Sequence, residues 1–125
     1  MFTETKAFSS YAVDDIERAK EFYEGMLGLT TSSPMEEMLL SLEIAAGQSV
    51  MLYLKPDFVA ATYTVLNFTV DDLEATVDEL TTRGIEFERY EGMGQDEKGV
   101  SREGGGPPIA WFKDPAGNIL SVLTP

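Results

Sequence analysis

Val13-Asp14-Asp15-Ile16-Glu17 and Val70-Asp71-Asp72-Leu73-Glu74 are one stretch written twice, 57 residues apart. Self-similarity at a fixed spacing marks a repeated structural unit. Each copy follows a short run of strand character, Phe8 to Val13 or Val65 to Val70. Each then opens an amphipathic run that stops at a glycine, Gly28 or Gly84. The first aspartate of each pair is expected to cap a helix while the glutamate three places on reaches back, a variant of the capping box. Two copies of strand, cap and helix in 125 residues imply a duplicated α+β module.

The length suits one domain able to bury a sizeable core, here of two modules at about 1–57 and 63–125. With 43% apolar and 10% aromatic residues the composition is that of an ordinary globular protein. No run approaches a membrane span, and Met1 to Lys6 lacks a basic stretch followed by an apolar one. There is no cysteine, so no disulfide frame points to export, and the expected location is cytoplasmic. A formal charge of −13 disfavours nucleic acid and anionic membranes as partners and favours cations. Histidine is absent as well. Any metal site would be built from oxygen ligands, which removes most zinc, copper and non-haem iron schemes.

Along the chain, the first strand runs into a helix over 15–27, with Ile16, Ala19, Tyr23, Met26 and Leu27 on one face. Strands follow at 30–33, 38–45 and 49–54, and a linker reaches Thr62. The second module repeats the plan with a strand at 65–70, a helix at 72–83 and a strand at 85–90. Residues 91–108 hold six of the eleven glycines and no apolar periodicity, so they form a loop, either a lid or a disordered insertion. Strands at 109–113 and 118–123 close the chain around Asp114-Pro115-Ala116-Gly117.

Three pieces in order, YAVDDIERAKEFYEGMLGL at 11–29, FTVDDLEATVDELTTRGIEF at 68–87 and FKDPAGNILSVL at 112–123, resemble the vicinal oxygen chelate superfamily. That superfamily includes glyoxalase I, extradiol dioxygenases, fosfomycin-resistance enzymes and bleomycin-resistance proteins. The resemblance covers nearly the whole chain. It implies an α+β fold of two βαβββ modules, whose eight strands curl into a half-barrel around a cavity with the helices outside. It also implies a homodimer.

Strand parity assigns faces, because alternate residues point to opposite sides. The cavity face then carries Phe8, Ser10 and Ala12; Ser49, Met51 and Tyr53; Val65, Asn67 and Thr69; and Ile119, Ser121 and Leu123. Mixed apolar, hydroxyl and amide side chains suit a small-molecule pocket. Metal-dependent relatives place a His or Gln on the first strand, a Glu on the fourth, a His on the fifth and a Glu on the eighth. These positions fall on Phe8, Met51, Val65 and Ser121, none of which holds a divalent cation. Glyoxalase, dioxygenase and metal-dependent transferase chemistry are therefore disfavoured, and no cofactor is expected.

The reading that remains is a metal-free protein, similar to bleomycin-resistance proteins, binding a small organic molecule of cationic or aromatic type. Its expected ligand contacts are Phe8, Ser10, Met51, Tyr53, Val65, Asn67, Trp111 and Ser121, with Arg102 from the loop. The alternatives are a metal-independent lyase, isomerase or transferase acting on a small metabolite, and a dimeric partner-binding module.

Overall fold

The second aspartate of each pair, not the first, opens its helix. Asp15 and Asp72 have extended backbone, and their carboxylates accept the N–H groups of Arg18 and Ala75, both at 3.0 Å. The extended conformation runs one residue further than expected, so Ile16 and Leu73 are the first helical residues. Glu17 and Glu74 then sit at the second helical position. There they face the positive end of the helix dipole.

The computed structural model describes residues 1–125, which form two compact units, Met1–Val59 and Ala60–Pro125. The first contains β1 (Ser9–Val13), α1 (Ile16–Lys20), β2 (Thr30–Ser32), β3 (Leu39–Glu43) and β4 (Ser49–Leu54). Its sheet runs β1-β4-β3-β2, with β1 and β4 parallel and the other pairs antiparallel. The second contains β5 (Thr64–Thr69), α2 (Leu73–Thr82), β6 (Ile109–Lys113) and β7 (Ile119–Leu123), in the order β5-β7-β6. Again the first strand is parallel to the last and the hairpin is antiparallel. The first unit is thus an α+β module of the βαβββ kind, and the second follows the same plan with one strand fewer.

The expected strand at 85–90 forms no ladder, so there are seven strands rather than eight. Only the Glu88 N–H reaches β6, donating to the Trp111 carbonyl at 2.8 Å. The Gln95 amide takes the groups beside it, donating to the Glu88 carbonyl at 2.7 Å and accepting from the Tyr90 N–H at 2.7 Å. A side chain has replaced the neighbouring strand.

Parity places the core as expected in β1 and β7, whereas Leu54 of β4 and Leu66 and Phe68 of β5 are only half-buried. In the first unit Tyr11, Val13, Leu40, Leu42, Val50 and Leu52 are buried, together with Ile16 and Ala19 of α1. In the second, Ala110, Phe112, Leu120 and Val122 are buried with Leu73, Val77 and Leu80 of α2. After Lys20 the first helix widens into a π-helical stretch, Glu21–Met26, with the Leu27 N–H bonded five residues back to the Phe22 carbonyl. This brings the adjacent residues Phe22 and Tyr23 into the core together, and the Tyr23 hydroxyl meets that of Tyr11 at 2.7 Å. Met26 and Leu27, expected on the buried face, are only half-buried. No helix is long and apolar enough to cross a membrane.

Candidate functional site

Each sheet keeps one face away from its helix, and Ser10, Met51, Tyr53, Asn67, Trp111 and Ser121 of the expected ligand residues fall on these two faces. In the first unit Ser10 lies opposite Met51, and Ala12 opposite Tyr53. Across β3 the same face continues with Ser41 opposite Met51 and Leu39 opposite Tyr53. Met51 is half-buried and Tyr53 is 38% exposed. Phe8 precedes β1 and is 68% exposed.

In the second unit three side chains form a row across the sheet. Asn67 faces Ser121, and Ser121 faces Trp111. Strand spacing of about 4.8 Å puts the amide and the indole about 10 Å apart at their Cβ atoms, with the small serine between them. The Ser121 hydroxyl donates to Asn67 Oδ1 at 2.5 Å. Ser121 is fully buried and Asn67 is exposed, so the amide is the accessible polar end of the row. Val65 lies at an irregularity in the β5–β7 pairing, between Thr64 and Leu66.

Tyr90 extends this row. Its ring meets Trp111 edge-to-face, with centroids 5.4 Å apart. Its hydroxyl is buried without a hydrogen-bond partner. Burial, helped by the nearby Glu88 charge and opposed by Lys113, pushes the phenol above its ordinary range, so it stays protonated at neutral pH. Glu88 and Lys113 pair with each other at 3.4 Å.

The four positions that the resemblance assigns to metal ligands, Phe8, Met51, Val65 and Ser121, carry a phenyl ring, a thioether, an isopropyl group and one hydroxyl. That hydroxyl, on Ser121, already donates to Asn67 and is sealed from solvent. These four side chains do not fit a divalent cation.

Arg102 is engaged elsewhere. Its guanidinium pairs with Asp96 at 2.5 Å and with Glu74 of α2 at 3.3 Å. Lys98 pairs in the same way with Asp78 of α2 at 3.0 Å. The glycine-rich segment is therefore fastened to the helix through its middle. Asp96 is the hub: Oδ1 accepts the N–H groups of Lys98 and Val100, both at 2.9 Å, and Oδ2 accepts from Arg102. Partial burial works against its ionisation, but the Val100 N–H, Arg102 and the Lys98 N–H outweigh it and hold the carboxyl below its usual range. Gly99 has φ +94°, and a Cβ there would lie 3.0 Å from the Phe87 Cβ, so it is packed in place. Asp96→Ala is expected to cost about 1–2 kcal/mol and to speed protease cleavage within 91–102. In the wild type that protection should fade as the pH falls through the depressed native pKa, because the stabilising form is the ionised one. Cleavage rates unchanged by the substitution would contradict this role.

Gln95 and Asp96 are not among the expected site residues. Asp96-Glu97-Lys98-Gly99 reads as a turn in sequence, which is the one signal available for the hub.

No curated protein matches the chain. Among solved structures it is similar to TnmS3, an antibiotic binding protein from Streptomyces sp. CB03234, at 22% identity over 98% of each chain with a TM-score of 0.70. It is also similar to lactoylglutathione lyase from Agrobacterium tumefaciens, at 22% identity over 97% of this chain and 93% of that one, TM-score 0.67. A glyoxalase family protein from Enterococcus faecalis matches at 21% identity over 98% and 99% of the two chains, TM-score 0.66. At these identities the likeness is one of fold. A family model matches residues 7–122, and the chain belongs to the Glyoxalase/Bleomycin resistance protein/Dioxygenase superfamily.

Proposed function

We propose that this protein binds a small organic molecule of aromatic or cationic type without a metal, and does so as a cytoplasmic homodimer. The observation that carries the reading is the row Asn67–Ser121–Trp111 with Tyr90 beside it. It offers an aromatic face and, in Asn67, an exposed amide. Aromatic surface with a few convergent polar groups is the usual makeup of a small-molecule site. The side chains at Phe8, Met51, Val65 and Ser121 support the metal-free part. The fold shared with an antibiotic binding protein is consistent with sequestration. The edge strands β1, β2 and β5 are the natural surfaces for pairing chains, since the outer edge of β6 is taken by Glu88 and Ser101.

Trp111 is the only tryptophan, so its fluorescence reports on this row alone. An aromatic compound that binds here is expected to change the Trp111 emission saturably and to raise the melting temperature by a few degrees at a large excess over Kd. Recovery of the compound unchanged separates binding from turnover. A melting shift with a divalent metal that a chelator abolishes would overturn the metal-free reading.

A further inference from the structure

One glutamine side chain holds the backbone that carries Tyr90. Residues 85–90 form no ladder with β6, yet Phe87 meets Phe112 edge-to-face at 5.8 Å and Tyr90 meets Trp111 at 5.4 Å. The backbone bond from the Glu88 N–H to the Trp111 carbonyl fixes this stretch on the β6 side. Gln95 fixes it on the other. Its Nε2 donates to the Glu88 carbonyl at 2.7 Å and to the Gly99 carbonyl at 2.8 Å, and its Oε1 accepts the Tyr90 N–H at 2.7 Å. These bonds need two protons and an acceptor on one planar group, which a primary amide supplies and an ionised carboxylate does not. Tyr90 has no anchor at its far end, because its buried hydroxyl lacks a hydrogen-bond partner. Ring packing and the Gln95 bond are what hold it.

We propose that Gln95 is a positioning residue for the Trp111 row: its amide sets the Tyr90 ring against the indole and so presents Trp111 to a ligand in one attitude. The inference rests on the reading of that row as the ligand site. Order supplied by the fold does not have to be supplied when the ligand binds, so the amide acts on affinity without touching the ligand.

The test compares Trp111 in wild type, Gln95→Glu, Tyr90→Leu and the double variant, first without ligand. Gln95→Glu is isosteric and keeps the acceptor for the Tyr90 N–H, but it sets a carboxylate oxygen against two carbonyls. It should weaken the near-ultraviolet circular dichroism of Trp111 and raise its quenching by acrylamide, as Tyr90→Leu should. The double variant should add little to either, because both changes remove the same contact. Lys98→Gln, which frees the segment from Asp78 but leaves the Gln95 bonds, should change neither. Gln95→Met removes the three bonds without adding a charge, and it gives the same comparison should the glutamate variant fail to fold. Binding of benzyltrimethylammonium, followed by Trp111 emission, should weaken about fivefold in Gln95→Glu, the worth of one aromatic contact. A wild-type Trp111 signature in folded Gln95→Glu or Gln95→Met, or additive effects in the double variant, would overturn the role of Gln95. Failure of the wild type to bind the probe sinks the ligand reading of the row instead, and the ligand-free comparison still decides Gln95.

Discussion

Asp114→Ala is expected to destabilise the fold by about 3 kcal/mol, as several charge-assisted hydrogen bonds at roughly 1.5–3 kcal/mol each are lost non-additively. The carboxylate is 5% exposed. Its Oδ1 accepts the N–H groups of Ala116 at 3.0 Å and Asn118 at 2.9 Å, and its Oδ2 accepts from the Asn118 side-chain amide at 3.0 Å. Backbone bonds from Asp114 N–H to the Asn118 carbonyl and from Gly117 N–H to the Asp114 carbonyl, both 3.0 Å, close the same turn. Removing the carboxylate leaves Asn118, 2% exposed, with buried donors that water does not reach. Stranded donors account for much of the cost. The turn joins β6 to β7, so it holds Trp111 opposite Ser121 and the candidate row depends on it. For a chain of this length the loss corresponds to a fall in melting temperature on the order of 10 °C. Asp114→Asn, which keeps one acceptor, should lose less. A urea midpoint for Asp114→Ala within experimental error of wild type would contradict the account.

Ser121→Glu is expected to cost about 3 kcal/mol or more at neutral pH, by overpacking and by desolvating a charge. The position is fully buried, and its present side chain is fitted to Asn67 at 2.5 Å. Burial disfavours the ionised form, so the introduced carboxyl has a native pKa above the unfolded value of about 4.3. The penalty therefore grows as the pH rises past that value and shrinks below it, opposite in sign to the pH dependence of Asp96. Melting of variant and wild type compared at acidic and neutral pH reads this directly. Because Asn67 and Val65 supply no anionic partner, adding a divalent metal should not rescue the variant. A chelator-sensitive rise in its melting temperature would show that the family's ligand geometry survives here with only the donor missing.

Much of this was legible before any coordinates, and the reason is local physics. The duplicated Asp-Asp-x-Glu signal, the apolar spacing of α2, the alternation in β1, β4 and β7 and the Asp114–Asn118 turn all act over a few residues. Each element's hydrophobic pattern matches its own period, so sequence distance and spatial distance agree. Legibility failed where a residue answers to something distant in the chain. Which aspartate caps depends on how far β1 and β5 stay extended. The π-helical stretch depends on Tyr11, twelve residues before Tyr23. The segment at 85–90 loses its ladder to the side chain of Gln95, and the glycine-rich segment is fastened through Lys98 and Arg102 to carboxylates about one helix turn apart on α2.

The candidate residues divide in the same way. Their types, and the strand faces they occupy, were set by the sequence, because side-chain alternation follows from the pleat alone. Whether each is open or sealed was decided only by tertiary structure. Ser121 and Asn67 read alike in sequence as polar inward residues, yet one is closed and the other exposed. Arg102, expected to reach a ligand from the loop, is instead spent on Asp96 and Glu74, since pairing depends on neighbours that only folding brings near.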